Sequence, residues 1–178
     1  MSTQLVVEID PQLLDFDLRG VDGERHSLST LAGRTGTVII FAANGCPTVR
    51  SYEDRLIALQ AGSAANGVQV VAINSNNPHL SPPDSFPEMV KRARERHFNF
   101  PYLKDDDGAV ARRYQAVCTP RAFLLDSGRK IAYSGRIDDS RVGGRISHPD
   151  LLNAVADLVA GRQVAIRRTD PFGCSIVW

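Results

Sequence analysis

Two apolar, β-branched runs flank one periodic stretch, and this arrangement constrains the fold more than anything else in the chain. The first run is Thr37-Val38-Ile39-Ile40-Phe41, followed by Ala42-Ala43-Asn44-Gly45-Cys46-Pro47; the second is Val68-Gln69-Val70-Val71-Ala72-Ile73-Asn74. Between them Val49, Tyr52, Leu56 and Leu59 recur on one helical face. The spacing predicts a strand over 37–42, a helix over about 47–62 and a strand over 68–74. Continuous apolar strands joined by a helix form a right-handed βαβ unit in a parallel sheet buried on both faces.

Cys46 falls at the turn from the first strand into that helix, as its N-cap, with Pro47 at the first helical position. A sulfur there faces unpaired backbone N–H groups and the positive end of the helix dipole, and both favour the thiolate, the nucleophilic form. A free cysteine is more ordinarily a small packed hydrophobe. Its place at a strand-to-helix turn makes Cys46 the candidate nucleophile.

The rest of the chain extends the α/β pattern. Residues 14–28 alternate like a hairpin around Asp22-Gly23. A Pro- and Asn-rich loop over 75–83 leads to a second helix, where Ser85 and Glu88 have capping-box spacing and Phe86, Met89, Val90 and Ala93 supply the buried side. A short helix after Asp107-Gly108 carries Val110 and Tyr114. Runs 122–126 and 130–134 around Ser127-Gly128 read as an antiparallel pair, and a last helix spans about 149–160, closed by Gly161. The apolar end, Cys174-Ser175-Ile176-Val177-Trp178, predicts a tail that packs back on the body.

At 178 residues the chain is long enough for one core, read as a single domain over 1–178 with a core of about 11–162 and a tail of 163–178. With 43% hydrophobic residues and a net charge of +1, nothing argues for nucleic acid or a membrane surface as partner. Residues 1–8 lack a basic region with an apolar core, so no signal peptide is expected, and no run approaches the ~20 apolar residues of a membrane span. Three cysteines, an odd number, fit a reducing cytoplasm better than a secreted disulfide framework.

Phe16-Asp17-Leu18, Asp22-Gly23, Leu28, the strand ending in Cys46-Pro47 and the later Thr119-Pro120 together resemble the redoxins, the alkyl hydroperoxide reductase and thiol-specific antioxidant relatives of thioredoxin. The resemblance covers about residues 11–162, and the Gly173-Cys174-Ser175-Ile176 ending is similar to that of redoxins of this size. It implies a thioredoxin-like fold: a central mixed β-sheet flanked by helices, with an N-terminal β-hairpin extension and a packed C-terminal tail. Thioredoxins carry Cys-x-x-Cys at this turn, whereas Ala43 stands at the first position here, so a one-turn dithiol cycle is impossible. Peroxiredoxins resemble the chain in a single cysteine (Thr-x-x-Cys), often followed by Pro-Thr as in Cys46-Pro47-Thr48. Ala43 also replaces their peroxide-orienting threonine.

On this resemblance the chain is expected to be a thiol-dependent oxidoreductase and antioxidant protein. Cys46 would attack a hydroperoxide or a disulfide, and the resulting sulfenic acid or mixed disulfide would be resolved by Cys118, Cys174 or an external thiol. Pro47, Thr119, Pro120 and Arg121 would border the substrate, with Thr119-Pro120 fitting a cis bond. A thioredoxin or low-molecular-weight thiol would return the electrons, and no cofactor or metal is called for. Cys118 reads equally as a buried filler and Cys174 as an apolar tail residue. Arg50 and Arg121 would place positive charge near Cys46 or simply be solvated. Asn74-Ser75-Asn76-Asn77 lies where open α/β sheets bind ligands, or is a hydrogen-bonded turn. Lys91 to Arg96 reads as a solvated face and Asp105-Asp106-Asp107 as a turn with a cap. Gly135-Arg136-Ile137-Asp138-Asp139 carries polar groups within reach of the tail. The alternative of another class is a redox-inactive thioredoxin-like binding module that has lost the first cysteine of the motif at Ala43.

Overall fold

The computed structural model describes residues 9–141 and 144–178; the expectation about a signal peptide at residues 1–8 lies outside them. The βαβ unit is present with β3 (Gly36–Phe41), α2 (Pro47–Ser63) and β4 (Val68–Asn74), within one residue of the expected bounds. β3 and β4 pair in parallel over six positions from Gly36 opposite Val68 to Phe41 opposite Ile73. On its other side β3 pairs antiparallel with β7 (Arg121–Asp126), and β7 continues into β8 (Ile131–Gly135) as the expected hairpin.

The opening hairpin is β1 (Asp17–Gly20) with β2 (Arg25–Ser27), followed by the short α1 (Leu28–Leu31). β1 joins the sheet through β5 (Tyr102–Lys104), a strand absent from the sequence reading. Three residues give no usable periodicity, and a lysine at the third of them argues against burial. Yet Lys104 is buried: its ammonium donates to the Asn76 carbonyl, and burial holds it below its ordinary pKa. The sheet order is β2-β1-β5-β4-β3-β7-β8.

Alternation along β3 divides the interior. Val38 and Ile40 face α2, α3 (Phe86–Glu95) and α5 (Asp150–Val159), packing with Tyr52, Leu56, Met89, Leu151 and Val155. Ile39 and Phe41 face α1 and α4 (Ala109–Arg113), packing with Leu28, Val110 and Tyr114. Both faces are covered, as the unbroken apolar runs require.

Two local expectations change. Ser85 is the N-cap of α3 but its side chain caps nothing. Its backbone N–H is already donated to Pro82 O, 3.1 Å away, so the group a capping-box Glu88 needs is occupied. The basic run of α3 is not simply solvated either: Arg92 grips the buried Glu53 carboxylate of α2 at 2.7 Å, and Arg96 reaches both Glu53 and Asp54.

The tail does return to the body. Ser134 N–H donates to Arg167 O and Thr169 N–H to Ser134 O, while Thr169 Oγ1 accepts from Arg136 N–H. Further on, β9 (Cys174–Ser175) forms a separate two-stranded sheet with β6 (Cys118–Thr119), and Ile176 is buried in the second core.

Candidate active site

Cys46 ends the turn after β3 and caps α2, its Sγ accepting from Val49 N–H at 3.5 Å. The turn is held from below by one carboxylate. Asp84, fully buried, accepts from Asn44 N–H at 2.6 Å, Gly45 N–H at 3.3 Å, Asn74 Nδ2 at 2.8 Å, Asn76 Nδ2 at 2.9 Å and Ser81 Oγ at 2.6 Å. Burial pushes this carboxyl up, but so many donors hold it below the ordinary range as a carboxylate. Asn44 is fixed a second time, by Tyr102 OH on its Oδ1 and by Arg50 Nε on its carbonyl. The Asn74–Asn77 run is thus a hydrogen-bonded support for the Cys46 turn.

Opposite Cys46 stands the bond between Thr119 and Pro120, which is cis. Thr119 O lies 3.3 Å from Cys46 Sγ and accepts from its thiol. Across the β6–β9 ladder Thr119 is paired with Cys174. This brings the Sγ atoms of Cys46 and Cys174, 128 residues apart in sequence, to 2.6 Å, so a bond between them needs only a short approach. Gly173 makes that register attainable. Its φ is +152°, and a Cβ there would collide with the Thr119 carbonyl.

Cys46 is 2% exposed. Burial pushes its thiol up; the donors around it, chiefly the Cys174 thiol and Val49 N–H, outweigh this and hold it below its ordinary value. Cys174 goes the other way: burial and the charge on Cys46 push it up to about 11, against a smaller pull from Thr48. The pair gives up one proton readily and the second reluctantly.

Cys118 is half-buried opposite Ser175 in the ladder, and the hydrogen bonds of the Cys46 sulfur go to Thr119, Cys174 and Val49 instead. Burial raises its thiol, with Arg121 opposing. Arg121 donates to Ser134 Oγ and acts on Cys118, while Arg50 is spent on Asn44; the positive charge expected beside Cys46 is supplied by neither. Asp105 accepts from Val110 and Ala111 N–H in the first turn of α4, but the N-cap residue is Gly108 and not an aspartate of the acidic run. Among the described residues no cluster of side chains is arranged to hold a metal, and no helix is long and apolar enough to cross a membrane.

The family model described as AhpC/TSA matches residues 9–134. The chain belongs to the AhpC/TSA family. A structure of an uncharacterized conserved protein from Geobacillus kaustophilus is similar to this redoxin at 37% identity, with 92% of this chain and 88% of that one covered and a TM-score of 0.88. A hypothetical protein from Sinorhizobium meliloti 1021 is 31% identical over 100% of this chain and 96% of its own, also at 0.88. A secreted Mycobacterium tuberculosis disulfide oxidoreductase shares the thioredoxin-like fold at 20% identity and a TM-score of 0.62, with 82% and 97% of the two chains covered. No curated protein matches the chain. Family and fold together support a thiol-based redox function for this redoxin.

Proposed function

We propose that the protein is a two-cysteine oxidoreductase in which Cys46 attacks and Cys174 resolves. The observation that carries this reading is the 2.6 Å separation of the two sulfurs over the N-terminus of α2. With a hydroperoxide, the Cys46 thiolate takes the distal oxygen, the O–O bond breaks, and the alcohol departs with a proton. The Cys174 thiol then displaces hydroxide from the sulfenic acid, giving a disulfide and water. With a disulfide as oxidant, Cys46 forms a mixed disulfide, expels one thiol, and Cys174 expels the other. A dithiol or two monothiols restore both cysteines. Pro47, Thr119, Pro120 and Arg121 border the site, the cytoplasm is its setting, and Cys118 stands outside the first cycle.

Reduced protein treated with stoichiometric hydrogen peroxide, and separately with oxidised glutathione, tests this by intact mass and thiol mapping. Wild type and Cys118→Ser should each lose a pair of hydrogens and link Cys46 to Cys174. Cys174→Ser should stop at sulfenic acid or at a mixed disulfide on Cys46, and Cys46→Ser should not react. A link from Cys46 to Cys118 would reassign the resolving residue. A Cys46 that stays free under both oxidants would leave the redox-inactive binding module as the better reading.

A further inference from the structure

Thr119 lies between the two sulfur-bearing segments, opposite Cys174 in the ladder and with its carbonyl on the Cys46 thiol. That carbonyl serves the protonated sulfur alone. Once the proton leaves, it faces a negative charge and has nothing to donate. The same residue holds a donor in reserve. Thr119 is 1% exposed and its Oγ1 is buried without a hydrogen bond of good geometry, whereas buried hydroxyls nearly always find a partner. Other buried hydroxyls here do: Ser63 Oγ donates to Leu59 O, and Ser75 Oγ to Asp105 Oδ2. Position 43, one turn before Cys46, offers only the methyl group of a buried alanine.

We propose that the Thr119 hydroxyl is the positioning donor of the reduced site, turning onto the Cys46 sulfur when the thiol proton passes to solvent. The proposal rests on the thiol-based reading above and adds the residue that holds the nucleophile. In the thiol state Cys46 is anchored through the Thr119 carbonyl, in the thiolate state through the hydroxyl, so one residue follows the sulfur through ionisation. Hydrogen bonds of this kind are often long at rest and tighten when the charge appears. The titratable neighbours of Cys46 are Cys174 on β9 and Cys118 on β6. The charged groups near it are engaged elsewhere: Arg50 of α2 on Asn44, Arg121 of β7 toward Cys118, and Asp84 beneath Asn44 and Gly45. A donor from Thr119 would act in the direction that offsets the burial of Cys46.

The test follows carbamidomethylation of the Cys46 peptide against pH in the reduced full chain, comparing wild type with Thr119→Val and Thr119→Ser. Loss of the donor in Thr119→Val should move the midpoint up by about one pH unit, roughly a tenfold smaller thiolate fraction below the midpoint. Thr119→Ser, which keeps the hydroxyl, should stay within about 0.3 unit of wild type. Should Thr119→Val lose its native circular dichroism, Thr119→Ala takes its place in the same comparison. An unchanged midpoint in the variant lacking the hydroxyl, or a serine variant displaced as far as the valine one, overturns the proposal. Failure of wild type in the oxidant assay would sink the redox cycle instead, and the two results are read from different experiments.

Discussion

At the scale of the residue, the site is a contest between burial and hydrogen bonding. Cys46 is taken out of water, which favours the thiol, yet Val49 N–H and the Cys174 thiol reverse the balance. The expected outcome is a Cys46 alkylation midpoint below the ~8.5 of a free cysteine, with Cys174 remaining protonated to about 11. Mapped iodoacetamide labelling from pH 5 to 10 checks both, and a Cys46 midpoint above that of Cys118 would contradict it. The placement of Cys46 is legible in sequence because it is local: strand, turn, cysteine and proline are contiguous, and the helix N-terminus follows from them. The choice between Cys118 and Cys174 is not legible, since it depends on a two-residue ladder that sets Thr119 opposite the distant Cys174. The arginines mislead for a related reason. Adjacency in sequence does not say which partner a long side chain selects, and Arg50 selects a carbonyl.

At the scale of the element, the turn after β3 is only as rigid as its grip on Asp84. Five donors converge on that carboxylate, and removing it strands several of them in a buried site. Asp84→Ala should cost about 3 kcal/mol or more in urea unfolding, the usual scale for buried donors left unmade. Asp84→Asn, which keeps the shape but replaces one acceptor with a donor, should also be destabilised. The folded carboxyl is depressed, so its stabilisation is complete above the unfolded value of ~3.9 and is lost as pH falls through the folded value. The gap between wild type and Asp84→Asn should therefore narrow below about pH 4. A constant gap from pH 7 to 3 would show that Asp84 does not act as a carboxylate. Nothing in Pro82-Pro83-Asp84 announces this role, because an aspartate beside prolines reads as a surface turn until the fold folds it under β3 and β4.

At the scale of the molecule, the tail closes one end of the sheet. Ile176 enters the core, its N–H donates to Val117 O, Val177 exchanges hydrogen bonds with Asn76 and Asn77, and Arg112 lies over the Trp178 ring. Removing residues 172–178 should lower the melting temperature by roughly 5 °C, from the ~1.5–3 kcal/mol of one buried isoleucine and the lost ladder. At a pH where Cys46 is fully ionised with or without Cys174, it should also speed Cys46 alkylation by uncovering the sulfur. Calorimetry and the labelling rate together check this, and a truncation that leaves both unchanged would mean the tail covers nothing. The packed tail was readable from its apolar composition; where it packs was not, because two-residue strands carry no period.

Asn76 binds both Asp84 and the end of the tail, through Nδ2 and Oδ1 respectively. One carboxamide therefore touches the carboxylate beneath the Cys46 turn and the segment bearing Cys174. During synthesis the two sulfurs emerge far apart in time: 128 residues at ribosomal speed take on the order of ten seconds. A nascent chain presents Cys46 throughout that interval before Cys174 exists to lie beside it. The two sulfurs can meet only once β9 has been made and laid against β6.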